Sequence, residues 1–338
     1  MSDLEFPRIP ELDSSAMTAT AEALRHRPRR LGHLGFLSQA LTWWAGCTSA
    51  IPLNLIQHPA LVVFAGATDI EPQQVSDQPA GSVNESLAEL ESGAGPYQLL
   101  RGDTQLEVVD LQDHPVPDFT RADTLGPHNF SDFFRRGQDQ ADALIDSGCD
   151  LLIPGSVGES DLAVAATLIG ALSRREPVSL FRLGDDPELW KRRVEVSRNA
   201  LYRVFSKGLR ATQRPPATTQ AQWAKYLCEK LGSATTAALS GFFCQTAARR
   251  TPVLFDGPHC ATAALIAERL CPGTRLWLQL AQSSAEPMME SVAEELELQP
   301  LMITGTDLPE GAASLMALPQ LQAGISLVRG DRIDQPQV

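Results

Sequence analysis

The chain has 338 residues, of which 43% are hydrophobic and 20% are charged, and its 41 acidic against 28 basic residues give a formal net charge of −13. This composition argues against disorder, and the acid excess argues against a nucleic-acid partner, because affinity for a phosphate backbone needs clustered Lys and Arg. No segment approaches the roughly 20 apolar residues of a membrane span, so we expect no membrane partner. Six scattered cysteines without a C-x-x-C pair, and no secretory signal pattern at the N-terminus, predict a cytoplasmic chain with reduced thiols.

The first 50 residues predict two helices. A stretch near residues 15–24 is rich in Ala and Met, and apolar residues recur at three- and four-residue steps from Leu31 to Trp44, which is typical of an amphipathic helix. Residues 25–30, between the two helices, form a strongly basic patch that we interpret as a solvated loop.

From residue 61 onwards, short apolar runs alternate with helical patterns. The apolar runs are each closed by glycine or a polar turn, which suits strands buried on both faces. They span residues 61–66, 106–111, 151–155, 252–257 and 276–280. Helical segments rich in Ala and Leu lie between them at residues 137–146, 162–173, 189–202 and 262–270. The alternation predicts an α/β fold with a mostly parallel sheet and helices on both faces, in which residues 113–127 and 213–219 are loops.

Two acid-bearing turns stand where such sheets bind ligands, beyond the carboxyl ends of strands. Gly155-Ser156-Val157-Gly158-Glu159 follows the third predicted strand and precedes a helix, so its backbone N–H groups suit an anion. Glu310, flanked by Pro and Gly, also precedes a helix. Each turn has a plain structural interpretation as well, as a strand–helix connector or as a charge complement to a helix N-terminus. Dinucleotide (GxGxxG), P-loop and GxSxG motifs are absent, and the histidine spacing predicts no metal.

The order of several motifs resembles one enzyme family. Residues 308–319, LPEGAASLMALP, resemble its LGEGSGAALAMP stretch, 251–257, TPVLFDG, resemble PVLLDGF, and 283–287, SSAEP, resemble SHxSAEP. Gly158-Glu159 resembles its GVGEMG turn, Arg192-Arg193-Val194 stands at its RKV position, and residues 30–34 resemble GSLGRLE. Taken in their order along the chain, the motifs are similar to those of the nicotinate-nucleotide:dimethylbenzimidazole phosphoribosyltransferase family, which makes α-ribazole 5′-phosphate for the lower ligand of cobalamin.

The resemblance implies phosphoribosyl transfer from nicotinate mononucleotide to dimethylbenzimidazole or a similar base, with release of nicotinate. It implies Glu310 as the general base, Glu159 as a second catalytic carboxylate and Arg193 as the ligand of the phosphate. The same motifs imply further substrate-binding residues, which are Gly155, Gly158, Asp256, Gly257, Ser283, Ser284 and Gly311.

The resemblance also implies an architecture and an assembly. A large Rossmann-like domain, residues 51–330, carries the site, and residues 1–50 with part of the C-terminal region form a small helical domain. The implied protein is a homodimer whose partners are small molecules, and its reaction needs no cofactor.

Departures from the family pattern leave a second interpretation open. The family's FAGDHGV is FAGATDI here, at residues 64–70, so its Asp-His pair is absent. The stretch that ends in Asn-Thr-Thr in the family reads SDLAVAA at residues 160–166, where Asp161 falls near the implied phosphate subsite and would repel a phosphate. The alternative is a non-catalytic paralogue that binds a nucleotide or base, or the partner subunit of an active homologue.

Overall fold

A computed structural model describes residues 5–26, 32–79, 81–114, 116–205 and 218–333 of the chain. The strands of its main sheet are β1 (Pro59–Ala65), β2 (Gln105–Asp110), β3 (Leu151–Val157), β4 (Val253–Phe255) and β5 (Leu278–Leu280). They run parallel in the order β2-β1-β3-β4-β5. A smaller sheet pairs β6 (Gln282–Ser283) with β7 (Met302–Ile303), again in parallel.

Helices cover both faces of the main sheet, which confirms the predicted α/β fold. The first half of the chain contains α1 (Ser14–Arg25), α2 (Leu37–Thr48), α3 (Ser82–Ser92), α4 (Gly95–Leu100), α5 (Gly126–Asp146) and α6 (Asp161–Ser173). The second half contains α7 (Pro187–Phe205), α8 (Gln220–Leu231), α9 (Ala234–Ala248), α10 (Pro258–Leu270), α11 (Met288–Leu296) and α12 (Ala312–Ile333). In the part of the chain that the structure describes, no helix is long and apolar enough to cross a membrane.

Strand β1 shows why the apolar runs lack polar alternation. Its side chains Ala60, Val62 and Phe64 enter one hydrophobic core, which they share with α5, α6, α8, α9 and α10. Leu61 and Val63 point to the other face and enter a second core with α2 and α12. Burying a Val, Leu or Phe side chain stabilises the fold by roughly 1.5–3 kcal/mol, so both faces of the strand are apolar.

The strand order places a crevice at the middle of the sheet. From β1 the chain crosses to β2 on one side, whereas β3 pairs with the other side of β1. The connections that leave the carboxyl ends of β1 and β3 therefore diverge, which is where open α/β sheets bind ligands. The predicted turn at residues 155–159 starts later than expected, because β3 extends through Val157 and includes Gly155 and Ser156.

Most predicted elements agree with the structure apart from their ends. The five predicted strands fall on β1 to β5, and the helical segments fall within α5, α6, α7 and α10. Helix α2 begins at Leu37, after a turn in which the Leu37 N–H donates to the oxygen of Leu34. The predicted loop at 113–127 overlaps α5 only at its last two residues, whereas residues 27–31 and 213–217 lie outside the described residues.

Several helices were not predicted from the sequence, namely α3, α4, α8, α9 and α11. Helix α9 is buried on almost every side, so its apolar residues form no stripe that helical periodicity can detect. Helix α3 has the opposite problem, because Val83 and Leu90 are its only buried residues.

Helix α2, the second helix of the chain, packs against the C-terminal helix α12. Gly324 of α12 lies so close to α2 that a Cβ there would stand 2.9 Å from the methyl carbons of Leu37. Both helices also share the second core with β1 and β3. The division of the chain into a small helical domain (1–50 with part of the C-terminal region) and a large domain (51–330) stays a prediction.

Helices α5 and α9 approach each other at two glycines. A Cβ on Gly137 would lie 1.8 Å from the backbone oxygen of Ala238, and a Cβ on Gly241 would lie 2.0 Å from that of Phe134. Alanine is the better helix former by about 1 kcal/mol, so a net loss of stability on substitution reports the packing. We expect Gly137→Ala to lower the free energy of unfolding in urea by about 1–3 kcal/mol.

Gly184→Ala is the matched control, because no atom lies within 4 Å of a Cβ built at that position. We expect its unfolding free energy to stay within about 0.5 kcal/mol of the wild-type value. Equal losses in the two variants would contradict the tight contact at Gly137.

Candidate active site

A cleft of 630 Å³ opens beside the carboxyl ends of β3 and β4. Its walls include the end of β3, the first turns of α6 and α7, and the segment 307–310 that precedes α12. Among the described residues, its charged groups are the guanidinium groups of Arg182 and Arg193 and seven carboxyl groups. The carboxyl groups belong to Asp77, Asp161, Asp185, Asp186, Glu286, Asp307 and Glu310. The cleft is therefore acidic, as the whole chain is.

Glu310 is held at the N-terminus of α10. Its Oε1 accepts the backbone N–H of His259 at 2.7 Å, and its Oε2 accepts that of Cys260 at 2.8 Å. The first N–H groups of a helix have no partner inside the helix, and the helix dipole is positive at this end, so the position suits a carboxylate. The hydroxyl of Tyr97 donates to the backbone oxygen of Glu310 at 2.9 Å, which fixes the main chain as well.

Three of the predicted site glycines surround Glu310, where no side chain fits. A Cβ on Gly155 would lie 2.3 Å from the backbone oxygen of Glu310, and a Cβ on Gly257 would lie 2.3 Å from its Cγ. Gly257 (φ 86°) and Gly311 (φ 97°) also adopt left-handed backbone conformations that disfavour other residues. These glycines leave room for the glutamate, and their contact with a substrate stays a prediction.

Asp256 lies buried beneath the loop that carries Glu310. Its Oδ1 accepts the N–H of Gly311 at 3.1 Å, the N–H of Ser314 at 2.8 Å and the hydroxyl of Ser314. Asp256 therefore caps the first turn of α12 and holds the loop in place. Burial raises the pKa of Asp256 to about 6. The predicted substrate contact of Asp256 stays a prediction, and its observed contacts are those of a residue that positions Glu310.

The surroundings of Glu310 favour its protonated form. The pKa of this half-buried residue is raised to about 8, first by desolvation and then by the negative charge of Asp161, against the lowering effect of the two helix N–H groups. A carboxyl group whose pKa lies near neutrality can exchange a proton with a bound ligand, as a general acid or base must.

Asp161 forms the centre of a polar network at the start of α6. The hydroxyl of Ser156 donates to its Oδ2 at 2.5 Å, and the hydroxyl of Thr235 lies 3.5 Å from its Oδ1. The ring Nδ1 of the fully buried His259 lies 3.2 Å from the Asp161 backbone oxygen. Gly158 leaves room for this network, because a Cβ there would stand 2.3 Å from Asp161 Oδ1.

The two guanidinium groups of the cleft are held by ion pairs. Arg193 Nε donates to a backbone oxygen at 2.8 Å, and its Nη2 lies 3.3 Å from Asp77. Arg182 lies 3.5 Å from Asp307 and 3.8 Å from Glu286. The Arg182–Asp307 pair is exposed on both sides, and such pairs contribute roughly 0–1 kcal/mol, whereas in the Arg193–Asp77 pair only the carboxylate is exposed.

The remaining predicted residues lie outside the cleft wall. Glu159 is half-buried, and its Oε1 stands 3.5 Å from the hydroxyl of Ser82, which does line the cleft. Ser283 belongs to β6, and the hydroxyl of Ser284 accepts the backbone N–H of Glu286 at 3.2 Å. The predicted roles of Glu159, Ser283 and Ser284 stay predictions.

Several residues of the site were not named as site residues from the sequence, among them Tyr97, Arg182, Trp190 and His259. A signal was present for two of them. His259 lies in the segment that follows the fourth predicted strand, and Trp190 precedes Arg193 by three residues on α7, which places both on one face. For Tyr97 there was no signal, because its short helix has no periodic pattern. No group of three or more His, Cys, Asp or Glu side chains in the described ranges is arranged to hold a metal ion.

Known proteins share the sequence along nearly the whole chain. A family model described as Phosphoribosyltransferase matches residues 9–335. A nicotinate-nucleotide–dimethylbenzimidazole phosphoribosyltransferase of Mycobacterium ulcerans (strain Agy99) is 34% identical over 334 residues, which cover 93% of this chain and 89% of that protein. An enzyme of the same name from Streptomyces coelicolor is 31% identical over 349 residues, which cover 96% and 93%.

A solved structure shares the fold. The crystal structure of the enzyme of that name from Thermus thermophilus has a TM-score of 0.81 with 21% identity, and it covers 94% of this chain and 96% of that chain. The family match makes this α/β protein a phosphoribosyltransferase by class. More narrowly, the chain belongs to the nicotinate-nucleotide–dimethylbenzimidazole phosphoribosyltransferase family, which confirms the resemblance of its motifs.

The raised pKa of Glu310 predicts a pH-dependent cost to stability. The pKa of Glu310 is near 4.5 in the unfolded chain and about 8 in the folded protein. Between these pH values the folded state keeps a proton that the unfolded state has lost, so each rise in pH favours the unfolded state. The free energy of unfolding should therefore fall as the pH rises from about 5 to about 8. We expect Glu310→Gln to lack this slope and to gain roughly 3 kcal/mol relative to the wild type over that range, as measured by urea denaturation.

Asp256 titrates in a similar direction, but it is present in both proteins and cancels in the difference. A difference between the two proteins that stays constant with pH would show that Glu310 ionises in the fold as an ordinary glutamate does.

Proposed function

We propose that the chain transfers the phosphoribosyl group of nicotinate mononucleotide to a benzimidazole-type base, giving an α-ribazole 5′-phosphate and nicotinate. The observation that carries the proposal is the carboxyl group of Glu310, held by two helix N–H groups in an acidic cleft. The printed names of relatives that match nearly the whole chain support the choice of reaction.

The donor brings its own activation to the reaction. Its nicotinate ring is a pyridinium cation, so the electron pair of the C1′–N bond passes to the ring nitrogen and cancels the charge as that bond breaks. A ring nitrogen of the acceptor attacks C1′ from the opposite face, which forms the new bond and inverts the centre. The other nitrogen of the acceptor then holds a proton that must leave.

Glu310 is the group that takes this proton in the proposed mechanism. A positioned carboxylate accelerates such a transfer by roughly 10²- to 10⁴-fold, and it works best when its pKa lies near the working pH. Its two backbone N–H donors fix its orientation, and Asp256 fixes the loop that carries it. Glu159, near the edge of the cleft, offsets positive charge that builds on the ribose, in the manner of a preorganised electrostatic group.

Arg193 is the proposed ligand of the 5′-phosphate. It lines the cleft from α7, and its guanidinium group can donate two parallel hydrogen bonds to a phosphate. The phosphate would replace the exposed carboxylate of Asp77 as its partner.

A second candidate function is binding of a nucleotide or base without chemistry, or service as the partner subunit of an active homologue. It is favoured by the replacement of the family's Asp-His pair by Ala67 and Thr68, and by the ion pairs that already occupy Arg182 and Arg193. Calorimetry that shows ligand binding with no release of nicotinate would favour this candidate.

The resemblance also leads us to propose a homodimer that works in the cytoplasm, and sedimentation velocity of the purified chain tests the dimer.

Removal of the proposed base tests the reaction. With nicotinate mononucleotide and dimethylbenzimidazole as substrates, we expect Glu310→Gln to lower kcat by about 10²- to 10⁴-fold with a small change in KM. Only the ionised form of Glu310 accepts a proton, so wild-type kcat/KM should rise with pH through about 8. Both parameters are obtained by measuring the released nicotinate by chromatography. If the activity of the Glu310→Gln variant equals that of the wild type, Glu310 is excluded as the base.

Removal of the phosphate from the donor tests Arg193. We expect Arg193→Ala to raise KM for nicotinate mononucleotide by about 10- to 100-fold, because a charged hydrogen bond contributes about 1.5–3 kcal/mol. With nicotinate riboside, which lacks the phosphate, the same variant should have a KM close to that of the wild type. Lys191→Ala is the matched control, since Lys191 lies on the same helix but pairs with Glu188 outside the cleft. An equal loss on both donors would assign Arg193 a structural role instead.

A further inference from the structure

One buried imidazole ring, that of His259, joins the starts of three helices. His259 is the second residue of α10, and its side chain is fully buried. Its Nδ1 lies 3.2 Å from the backbone oxygen of Asp161, the first residue of α6. Its Nε2 lies 3.1 Å from the hydroxyl of Thr235 and 3.3 Å from that of Thr236, both in the first turn of α9. The ring therefore ties α10 to two other helices.

The partners of the ring place a proton on Nδ1. The backbone oxygen of Asp161 carries no hydrogen and can only accept, so Nδ1 must be the donor of this hydrogen bond. The two threonine hydroxyls beside Nε2 can donate or accept, so that nitrogen has partners as well. Buried polar atoms are nearly always paired in folded proteins, so both ring nitrogens follow the general rule.

The same residue holds Glu310 through its main chain. The N–H of His259 donates to Glu310 Oε1 at 2.7 Å, and that of Cys260 donates to Oε2 at 2.8 Å. The residue before them is Pro258, which has no N–H, so these are the first two N–H groups of α10. Helix ends fray, so the direction of these donors depends on what fixes the first turn. The ring of His259 fixes it to the start of α6.

We propose that His259 is a positioning residue for the carboxyl group of Glu310. Its ring, which donates from Nδ1 to α6, keeps the first turn of α10 in the orientation in which two N–H groups meet that carboxyl group. His259 is not among the described residues that line the cleft, so it acts through Glu310. The inference rests on the proposed function only where it concerns turnover, because Glu310 is the base of the proposed reaction.

Two substitutions of nearly equal shape separate this role from simple packing. Asparagine places an amide nitrogen where the ring has Nδ1, so His259→Asn can still donate to the backbone oxygen of Asp161. Leucine has the shape of asparagine but no donor. In a fully buried position an unpaired amide is less favourable than an apolar group. Packing alone therefore favours His259→Leu, whereas the hydrogen bond favours His259→Asn.

The first experiment observes the hold on Glu310 without turnover. Protein whose six cysteines carry ¹⁵N gives one backbone amide signal for each, and the signal of Cys260 is the one that is lost in Cys260→Ala. We expect its amide hydrogen to exchange with solvent about 10-fold or more faster in His259→Leu than in the wild type, and within about threefold of the wild type in His259→Asn. The amide of Cys47, on α2, is the internal control and should exchange at one rate in all three proteins.

Equal exchange of the Cys260 amide in the wild type and His259→Leu would overturn the inference, and so would faster exchange in His259→Asn than in His259→Leu. His259→Gln replaces the leucine variant if the latter fails to fold. Its amide reaches towards the place of Nε2 and not that of Nδ1, so we expect it to behave as the leucine variant does.

The second experiment observes the ring itself. In protein whose histidines carry ¹⁵N in the ring, the signals of His259 are those that disappear in His259→Asn. We expect its Nδ1 to show a bonded hydrogen. A ring that carries hydrogen on Nε2 alone would contradict the proposed bond to α6.

The third experiment measures turnover with nicotinate mononucleotide and dimethylbenzimidazole. A base displaced by about 1 Å can cost about 100-fold in rate, so we expect His259→Leu to lower kcat by about 10- to 100-fold and to change KM for the donor by less than about threefold. His259→Asn should keep kcat within about threefold of the wild type.

Thr167→Val is the control for a general loss of stability, because it removes a buried hydrogen bond of 2.9 Å between Thr167 and Ser197. We expect it to lower the urea midpoint of unfolding and to leave kcat within about twofold of the wild type. A kcat in His259→Leu that equals that of Thr167→Val would overturn the positioning role. If the wild type releases no nicotinate, the proposed function fails, and the exchange of the Cys260 amide then decides the inference alone.

Discussion

The hold of helix α10 on Glu310 is the interaction on which the site depends. The first two free N–H groups of this helix bind the carboxyl group, and they can do so because Gly257 and Gly155 leave space beside it. Asp256, at the end of β4, then ties down the start of α12, so that the loop carrying Glu310 is fixed at both sides. The end of β4, the N-termini of α10 and α12, and the loop before α12 thus meet at one carboxyl group.

The acidity of the chain affects how the cleft can bind a substrate with a phosphate. A net charge of −13 is a poor match for a substrate with a phosphate, unless positive groups are concentrated where the phosphate lies. Arg182 and Arg193 are such groups, and each of them pairs with an exposed carboxylate, Arg182 with Asp307 and Arg193 with Asp77. Of the other acids, Asp161 adds negative charge near Glu310, whereas Glu286 pairs with Arg182. An acidic protein can therefore bind this donor, provided that the two signs of charge stay separated.

The fold was largely predictable, because strands buried on both faces leave uninterrupted apolar runs such as residues 61–66 and 151–155. Glu310 was identified by its motif, yet its partners His259 and Tyr97 were not, since their contacts join segments far apart in sequence. The glycines were named for binding, whereas Gly155 and Gly257 are required by sterics around Glu310. Helix α9 was missed because complete burial removes the periodic stripe on which sequence reasoning relies.

Asp161 illustrates how the structure changes the meaning of one residue. From the motif alone it is a charge placed near an implied phosphate subsite, which is an argument against the reaction. In the fold its carboxylate turns towards Ser156, Thr235 and His259, whereas the guanidinium groups are engaged elsewhere along the cleft. A negative charge in that position raises the pKa of Glu310. Among the described residues, the one that departs most clearly from the family pattern therefore acts on Glu310 and forms an ion pair with neither guanidinium group of the cleft.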